Sequence, residues 1–477
     1  MRKGFSGMRV SEIVTAVQGR LIQGNEDVEI SSVSIDSREI GEGCLFVPII
    51  GERVDAHRFL LTAFGNGAAA ALISREQEEY APDGTYILVQ DTVAALQDMA
   101  AAYRDRFDIP VVGITGSVGK TTTKEMISAA LKTEFSVLKT AGNRNSQVGL
   151  PLTVLTIEPE HTAAVIEMGM SERGEMEKLA RVARPNIAVL TNIGVSHIGQ
   201  LGSQENIRKE KLNIIDEFKP GDVLILNGDD PLLRELAQGG VSDLDEKTLH
   251  AMADIRIVTF SAEGNADYTA DDIVTDGEAT SFTLRTGDGR SEEIKLSVIG
   301  LHNVRNALAA LVVSDFMGIP FFLAKQGLKD YRPIKMRGEV KETGGIKIID
   351  DTYNASPDSM KSGIGVLTAL PGLNRRIAVL ADVKELGERS EKLHYEVGVF
   401  LADQNVDILV TVGAQAREIA RAVRERGRNM VTASFDQNEE AIAWLKDNIA
   451  AGDGILVKGS RGMHTEDIVS ALTGRDE

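Results

Sequence analysis

The chain contains few residues that cross-link or stiffen a protein. Its 477 residues include one cysteine, Cys44, one tryptophan, Trp444, and 12 prolines, and aromatic residues make up only 5%. A single cysteine excludes a disulfide bond within the chain and is typical of a reducing compartment, so we expect a cytoplasmic protein. Without disulfides, the stability of the fold must come from buried apolar surface.

Long hydrophobic runs and an excess of positive charge are also lacking. No apolar stretch reaches the roughly 18 residues that a membrane-spanning helix needs, so we expect no membrane span. Lys and Arg total 52 against 71 Asp and Glu, which gives a net charge of −19. Because nucleic-acid phosphates repel a surface of that charge, we expect no nucleic-acid partner. Hydrophobic residues still form 43% of the chain, as in ordinary globular proteins.

The most informative segment is 111–122, Val-Val-Gly-Ile-Thr-Gly-Ser-Val-Gly-Lys-Thr-Thr. An apolar strand runs into a glycine-rich turn, and a Lys-Thr pair then opens a helix. Glycines let backbone N–H groups surround phosphate oxygens, and the helix N-terminus adds positive potential. Lys120 can bridge the outer phosphates and Thr121 can hold Mg²⁺. Ile114 stands where the common P-loop has glycine, but the strand–loop–helix context still predicts binding of ATP or a related nucleotide.

Apolar segments alternate with helical patterns along the chain, and prolines mark two breaks between them. The breaks lie at Pro110 and near Pro333. We predict an α/β protein of three domains, residues 1–107, 108–331 and 332–477, with a doubly wound, mostly parallel sheet in the central one. A helix is expected at 92–106, and the predicted strands are 69–73, 86–89, 163–166, 187–190, 223–226, 346–349, 377–380, 408–412 and 455–457.

Polar residues follow the central strands, and ligands of open α/β sheets bind at that edge. Glu167 follows the strand at 163–166, and His197 lies a few residues after the strand at 187–190. The next strand is followed by Asn-Gly-Asp-Asp at 227–230. Taken alone, Glu167 or His197 is an ordinary solvated or hydrogen-bonded loop residue. Their shared edge beside the P-loop indicates that both reach Mg²⁺ bound to ATP.

Lys211 interrupts an apolar helix face. Ser203 is the expected N-cap of a helix that carries one apolar face, formed by Ile207, Ile214, Ile215 and Phe218. A buried ammonium is costly, so a lysine on that face extends to solvent, shifts its pKa or is modified. Two interpretations of Lys211 stay open. One is a snorkelling side chain, and the other is a carbamylated lysine that would be an anionic Mg²⁺ ligand.

The order of these motifs resembles that of the ATP-dependent Mur ligases of peptidoglycan synthesis. The matching positions are 113–122, Glu167, Asn192 with His197, Lys211, 300–307 and 336–339. Segments 350–360 and 141–151 are most similar to the family members that add D-alanyl-D-alanine. The chain departs from the family pattern at Ala56, Ser146, Ala381 and Val383.

The resemblance implies a task for each domain. A small mixed α/β domain would bind the UDP part of the substrate, the central P-loop domain would bind ATP, and the C-terminal domain would be Rossmann-like. The implied activity is an ATP-dependent ligase of cell-wall biogenesis that joins D-alanyl-D-alanine to UDP-N-acetylmuramoyl-tripeptide through an acyl phosphate. The implied cofactors are ATP and two Mg²⁺ ions, with carbamylated Lys211 as a ligand of one. We expect the protein to act as a monomer.

The resemblance also implies a role for each matching residue. The implied catalytic residues are Lys120, Glu167, His197 and Lys211, and the implied Mg²⁺ ligands are Thr121, Glu167, His197 and Lys211. The implied nucleotide-binding residues are Thr115, Gly116, Ser117, Val118, Gly119, Lys120, Thr121, Thr122, His302, Asn303, Asn306, Arg337, Asp351, Tyr353 and Asn354. The implied substrate-binding residues are Ser37, Arg38, Asn143, Asn145, Asp382, Lys458 and Arg461.

Other functions stay open at this point. One is a Mur ligase that adds a single amino acid, although the signature at 351–357 argues against it. Another, of a different class, is a non-catalytic nucleotide-responsive binding protein. Such a protein would be expected to lose the metal ligands or the phosphate lysine, which are present here. Folylpolyglutamate synthase shares the fold and the loop chemistry, but it lacks a UDP-binding first domain.

Overall fold

The computed structural model describes Phe5 and residues 7–474, so the predicted outer domain bounds, 1 and 477, lie outside the described residues. In this part of the chain the strands form sheets of two, five, nine and six strands. Helices connect most of the parallel strands. The fold is therefore α/β, as predicted.

The N-terminal part of the chain forms the five-stranded sheet. Its elements are β1 (Met8–Arg9), α1 (Val10–Ala16), β2 (Arg20–Gln23), β3 (Glu29–Ile30), β4 (Ser32–Ser34), β5 (Cys44–Phe46), a 3-10 turn (Ala56–Phe59), α2 (Leu60–Gly65), β6 (Ala68–Ile73), β7 (Thr85–Leu88) and α3 (Thr92–Arg104). The strand order is β2-β7-β6-β5-β4, parallel except between β2 and β7. Strands β1 and β3 pair separately. The predicted helix at 92–106 ends two residues early, at Arg104.

The central part of the chain forms the nine-stranded sheet. Its elements are β8 (Val111–Thr115), α4 (Lys120–Leu131), β9 (Val137–Lys139), α5 (Gly149–Val154), β10 (Ala163–Glu167), α6 (Glu175–Ala183), β11 (Ile187–Leu190), α7 (Ile198–Leu201), α8 (Gln204–Leu212), a 3-10 turn (Asn213–Ile215), β12 (Val223–Asn227), α9 (Pro231–Ala237), α10 (Glu246–Ala253), β13 (Arg256–Ser261), β14 (Tyr268–Asp276), β15 (Ala279–Thr286), β16 (Ser291–Leu296), α11 (Leu301–Phe316) and α12 (Phe321–Lys329). The strand order is β16-β15-β14-β13-β12-β11-β8-β10-β9. Pairing is parallel from β9 to β14 and antiparallel beyond it. The mostly parallel sheet is thus confirmed.

The C-terminal part of the chain forms the six-stranded sheet. Its elements are β17 (Glu339–Thr343), β18 (Ile346–Asp350), α13 (Pro357–Ala369), β19 (Arg375–Ala381), a 3-10 turn (Gly387–Arg389), α14 (Ser390–Ala402), β20 (Ile408–Val412), α15 (Arg417–Glu425), β21 (Val431–Phe435), α16 (Asn438–Asn448), β22 (Asp453–Lys458), a 3-10 turn (Arg461–Met463) and α17 (Glu466–Thr473). The strand order is β17-β18-β22-β19-β20-β21, with β17 antiparallel to β18 and the other pairs parallel.

The strands beside the P-loop are buried along their whole length. Every residue of β8, β10, β11 and β12 is buried, which is typical of parallel strands covered on both faces. Helix α11 is apolar on most of its surface because it packs against both α4 and β13. The carboxyl ends of these strands therefore form a rigid edge that positions the loops of the site.

The predicted strands and the predicted helix cap at Ser203 are confirmed, but the predicted length of the helix after Ser203 is wrong. Each predicted strand is found within two residues of its expected ends, and Ser203 caps α8 by accepting a hydrogen bond from the Asn206 amide at 3.2 Å. The helix that was expected to carry Phe218 instead ends at Leu212 and tightens into a 3-10 turn. Ile214 and Ile215 remain buried in that turn, so the buried apolar face continues beyond the end of the α-helix.

A search of the described residues finds no helix both long and apolar enough to cross a membrane.

Candidate active site

The loop after β8 has the backbone geometry that its glycines allow. Gly116 has a φ of +148° and Gly119 a φ of +87°, both in the region that favours glycine. A Cβ at Gly116 would lie 1.9 Å from Oγ1 of Thr191. Glycine is therefore required at 116 for the loop to pack against the end of β11, and Gly119 is the N-cap of α4.

Two residues at the end of β11 brace this loop. The amides of Ser117 and Val118 both donate hydrogen bonds of 2.9 Å to Oδ1 of Asn192. Thr191 donates from Oγ1 to the carbonyl oxygen of Val118 at 2.6 Å. The sequence placed Thr191 and Asn192 at the strand end, but nothing in their spacing predicted this bracing contact.

Lys120 opens α4 and folds back over the loop. Its Nζ donates to the carbonyl oxygen of Gly116 at 2.7 Å and to that of Ser117 at 3.4 Å. Burial lowers the pKa of Lys120, and nearby Arg337 lowers it further, whereas Glu167 acts in the opposite direction. The ammonium is thus held at the mouth of the loop, where an anion would offset the cost of its burial.

Glu167 lies at the centre of a buried polar cluster. Its Oε1 accepts hydrogen bonds from Thr121 Oγ1 at 3.2 Å and from Asn145 Nδ2 at 2.8 Å. Its Oε2 has no hydrogen-bond partner among the described residues, and Lys124 Nζ lies 3.8 Å away. A buried carboxylate oxygen without a partner, next to a threonine hydroxyl, is a donor set that suits a divalent cation.

Sequence reasoning missed Lys124 in this cluster. The side chain is 1% exposed, and Nζ donates to the carbonyl oxygen of Thr140 at 2.8 Å. Thr140 in turn accepts a 2.9 Å hydrogen bond from the Glu167 amide on its Oγ1. The only available signal was the position of Lys124 one turn after Lys120, between buried residues of α4.

His197 is placed beside the cavity by an unusual backbone. It has a φ of +60° at the start of α7, and its Nδ1 lies 2.9 Å from Oε2 of Glu385, which belongs to the loop after β19. The nearby His197 lowers the pKa of Glu385, against the effect of partial burial. Nδ1 of His197 nevertheless has no hydrogen-bond partner of suitable geometry among the described residues. Glu385 was not singled out in the sequence, because it is nearly 190 residues from its partner.

Lys211 is buried, with 3% of the residue exposed, so it does not reach solvent as a snorkelling lysine would. Burial lowers its pKa well below the usual range, and the positive charge of Lys120 acts in the same direction. Lys211 is not among the residues that line the cavity described below. The structure thus brings Lys120 and Lys211 close enough to repel each other, with Lys211 set back from the cavity surface.

The first turns of α11 bring polar side chains to the loop. Asn306 accepts a 3.0 Å hydrogen bond on Oδ1 from Thr123 Oγ1, and Asn303 donates to the carbonyl oxygen of Ile299 at 2.8 Å. Burial lowers the pKa of His302 to about 4, and the charges of Arg305 and Lys458 add to the effect. His302 is therefore a neutral imidazole near pH 7.

The C-terminal sheet supplies a second polar wall. The guanidinium of Arg337 lies 3.9 Å above the ring of Tyr353. Lys458 Nζ donates to Asp351 Oδ2 at 2.7 Å and to the carbonyl oxygen of Asn354 at 2.9 Å. Burial raises the pKa of Asp351, although Lys458 opposes the shift.

The two walls enclose one cavity of about 1160 Å³. Most of the predicted site residues line it, from both the central and the C-terminal sheets. These are Ser117, Val118, Gly119, Lys120, Thr121, Thr122, Asn143, Asn145, Glu167, His197, His302, Asn303, Asn306, Arg337, Asp351, Tyr353, Asn354 and Lys458. The predicted residues outside the lining are Ser37, Arg38, Thr115, Gly116, Lys211, Asp382 and Arg461.

Three of the residues outside the cavity have partners elsewhere. Arg38 pairs with Asp36 at 2.6 Å on the surface of the N-terminal sheet. Asp382 is buried and accepts a 2.8 Å hydrogen bond from the amide of Ala416. Arg461 pairs with Glu466 at 2.9 Å. In this conformation these side chains support their own loops.

Comparison with protein families divides the chain among three models. Residues 29–104 match the Mur ligase family catalytic domain, 114–314 match the Mur ligase middle domain, and 336–461 match the Mur ligase glutamate ligase domain. The chain is 38% identical to the UDP-N-acetylmuramoyl-tripeptide–D-alanyl-D-alanine ligase of Bacillus subtilis, over 97% of this chain and 98% of that one. It is 34% identical to the ligase of the same name from Escherichia coli, over 97% and 98%.

Solved structures agree with these matches. MurF from Acinetobacter baumannii has a TM-score of 0.89 at 29% identity, covering 99% of this chain and 100% of that one. MurF ligase from Thermotoga maritima in complex with ADP has a TM-score of 0.81 at 30% identity, covering 93% and 97%. With the motif order, the fold and the identity over nearly its full length in agreement, the chain belongs to the Mur ligase family.

Proposed function

We propose that this chain is an ATP-dependent ligase that adds D-alanyl-D-alanine to UDP-N-acetylmuramoyl-tripeptide, forming the UDP-muramoyl-pentapeptide precursor of peptidoglycan. The observation that carries the proposal is the cavity in which the P-loop faces Arg337 and Asp351 of the C-terminal sheet. The relatives from Bacillus subtilis and Escherichia coli are named for this reaction, and the Thermotoga maritima structure contains ADP.

The proposed chemistry brings anions together in this cavity. The terminal carboxylate of the tripeptide attacks the γ-phosphorus of ATP, the bond to ADP breaks, and an acyl phosphate forms. The amine of D-alanyl-D-alanine then attacks the acyl carbon, loses a proton and displaces phosphate. Lys120 and Arg337 supply the positive charge that such a transferred phosphoryl group requires. Closure of the two walls would keep water away from the acyl phosphate.

Thr121 and Glu167 are proposed to hold one Mg²⁺ ion. The buried, unpartnered Oε2 of Glu167 and the adjacent hydroxyl of Thr121 support this assignment within the described residues. A Mg²⁺ ion bound there would neutralise charge on the outer phosphates of ATP. His197 and carbamylated Lys211 are proposed as ligands of a second ion.

The environment of Lys211 supports its proposed carbamylation. Because burial lowers the pKa of Lys211 well below the usual range, the side chain is a neutral amine more often than an exposed lysine is. That amine can attack CO₂, forming an N–C bond and releasing a proton to leave a carbamate. A Lys211→Ala variant should lose ligation and regain part of it with added short-chain carboxylates. A fully active Lys211→Ala variant would overturn the assignment.

The proposed domain bounds and substrate-binding residues correspond to the three large sheets. We propose domains at 1–107, 108–331 and 332–477, of which the first binds UDP through Ser37 and Arg38. Asn143, Asn145 and Lys458 line the cavity and are proposed to hold the tripeptide or the dipeptide. Asp382 and Arg461 lie outside the cavity, so their proposed contact with the dipeptide requires the C-terminal domain to move.

We further propose a monomer that works in the cytoplasm.

One assay tests the function. Purified protein with ATP and Mg²⁺ is given D-alanyl-D-alanine and a panel of UDP-muramoyl tripeptides with different third residues, and phosphate release is measured. We expect release that requires both substrates and is lost in Lys120→Ala. Release with a single amino acid in place of the dipeptide would favour another Mur ligase activity. Nucleotide binding without any release would favour a non-catalytic binding protein.

A further inference from the structure

A chain of hydrogen bonds joins the N-terminal part of the molecule to two loops of the cavity. Gln97 lies on α3, and its Nε2 donates to the backbone carbonyl oxygen of Gln147 at 3.0 Å and to Oε1 of the same residue at 3.1 Å. Gln147 then donates from Nε2 to the carbonyl oxygen of Glu175, in the first turn of α6, at 2.9 Å. The two glutamines thus connect α3, the loop before α5 and the start of α6.

Both glutamines are removed from solvent at this junction. Gln97 is 4% exposed, and Gln147 is partly buried. A buried side-chain amide has to form hydrogen bonds, because leaving its donors or acceptors without partners is costly. A primary amide accepts at its oxygen and donates at its nitrogen, and Gln147 uses both groups. The two glutamines therefore fix the geometry of the junction, which apolar residues of the same size would not do.

The two segments that Gln147 connects both contribute to the lining of the cavity. The lining residues are Asn143, Asn145, Ser146, Gly169, Met170 and Ser171. The segments also contact each other directly, because the amide of Gly169 donates to the carbonyl oxygen of Asn145 at 2.8 Å. A Cβ at Gly169 would lie 3.1 Å from Cγ of Asn145, so glycine permits this close approach.

Helix α3 is placed to set the distance between two parts of the proposed substrate site. It follows β7 of the N-terminal sheet, which is proposed to bind UDP, and it packs against α5 and α6 of the central part. Asn143 and Asn145 lie at the other end, where the peptide is proposed to bind. A ligand that bridges both places binds more tightly when the loops are already ordered, because ordering them on binding lowers the affinity.

We propose that Gln97 and Gln147 are positioning residues that hold loops 143–147 and 169–171 at a fixed place relative to the UDP-binding domain, ready to receive the tripeptide of the substrate. The inference rests on the proposed function, because it takes the tripeptide as the group that binds at these loops. It assigns to α3 a role in binding the peptide end of the substrate and not in binding ATP.

The next residue of α3 offers a matched control. Asp98 pairs with Arg181 of α6 at 2.7 Å, so it connects the same two helices as the glutamines. The side chains of this pair are 33% and 44% exposed. An Asp98→Ala variant therefore removes a contact between α3 and α6 while the hydrogen bonds of Gln97 and Gln147 remain.

Titration calorimetry with two UDP ligands tests the proposal without catalysis. A UDP-muramoyl tripeptide contains the peptide, and UDP-N-acetylmuramic acid lacks it. We expect Gln147→Met and Gln97→Met, which keep the side-chain length but lose the hydrogen bonds, to bind the tripeptide ligand about tenfold more weakly. Affinities for UDP-N-acetylmuramic acid and ATP should change less than about twofold, and all three affinities should change that little in Asp98→Ala. Equal losses for the two UDP ligands overturn the proposal.

The double variant gives a second readout. Because both glutamines act through one chain of hydrogen bonds, adding Gln97→Met to Gln147→Met should weaken tripeptide binding by less than about twofold more. Fully additive losses overturn the proposal, and so does an equal loss in Asp98→Ala, because a general loosening of α3 would then explain the effect. Gln97→Met changes no residue of the cavity loops, so it decides the question if Gln147→Met does not fold.

Failure of the inference and failure of the proposed function give different results. A wild type that binds the tripeptide ligand no more tightly than UDP-N-acetylmuramic acid overturns the inference, even if it ligates. A wild type that binds the tripeptide ligand but does not ligate refutes the proposed function, while calorimetry of the variants still decides the role of the two glutamines.

Discussion

Lys124 lies on the buried side of α4, where its ammonium is close to three polar groups. Its Nζ donates to the carbonyl oxygen of Thr140 at 2.8 Å and lies 3.1 Å from Glu125 and 3.8 Å from Glu167. The side chain is 1% exposed, and that of Glu167 is 3% exposed. Because buried carboxylates are costly without a positive partner, Lys124 stabilises the acidic cluster on which the proposed Mg²⁺ site depends.

Replacing Lys124 should therefore cost more than replacing an exposed lysine with the same partner. We expect Lys124→Met to lower the free energy of unfolding by about 3 kcal/mol, since it removes the buried positive charge beside Glu125 and Glu167. The control is Lys139→Met, because Lys139 also pairs with Glu125 but is 35% exposed. That change should cost less than about 1 kcal/mol. Urea unfolding of both variants is the measurement, and equal losses would contradict the argument.

The element that carries the nucleotide-binding prediction is the turn between β8 and α4. Its strand, its glycines and its Lys-Thr pair are adjacent in the chain, so local pattern was enough to predict it. The hydrogen bonds that hold this turn in place could not be predicted from local pattern. Asn192 and Thr191 follow a different strand and reach the loop because β11 pairs with β8 in parallel.

This close approach makes Gly116 sensitive to substitution. We expect Gly116→Ala to weaken ATP binding about tenfold or more, because a left-handed φ and an overlap with Thr191 both oppose a side chain. The matched control is Gly365→Ala in α13, where a Cβ would meet nothing within 4 Å. It should keep ATP affinity and stabilise the fold by about 0.5 kcal/mol.

Titration calorimetry with ATP, together with the Tm of each variant, makes this comparison. Wild-type ATP affinity in Gly116→Ala would mean that the loop can move away from β11. The geometry of the loop would then not be required for nucleotide binding.

At the scale of the whole molecule, the cavity exists only where two sheets face each other. Its lining runs from Ser117 in the central sheet to Lys458 in the C-terminal one. The close contact between His197 and Glu385 joins the central and C-terminal parts of the chain. The ion pair of Lys347 with Glu278, at 2.9 Å, joins the same two parts. A ligand in the cavity must therefore affect both parts together.

Hydrogen exchange tests this shared cavity. We expect ATP to slow amide exchange in loop 117–119 and also at Asp351, Tyr353 and Asn354, because these residues line the cavity. The amides of β6 in the N-terminal sheet lie outside the cavity and are the internal control, which ATP alone should leave unchanged. Protection limited to the P-loop would contradict a nucleotide site built from two domains.

Most of the site residues predicted from the sequence line the cavity, and the reason is local. Strand ends, glycine turns and helix starts depend on neighbouring residues, so Lys120, Thr121 and Glu167 were found from pattern alone. The antiparallel strands β14–β16 were missed, because their alternating patterns were not recognised among the longer parallel strands. The resemblance added Arg337, Asp351 and Tyr353, which pattern alone would have left as surface or capping residues.

The sequence by itself determined the α/β alternation, the phosphate-binding turn and the family, since each depends on residues close together in the chain or on motif order. Tertiary structure alone decided which distant side chains meet. It brought Lys124 beside Glu167 and Glu385 against His197, and it left Asp382 and Arg461 outside the cavity. The physical reason is that such contacts depend on strand pairing and domain docking, which no local pattern records.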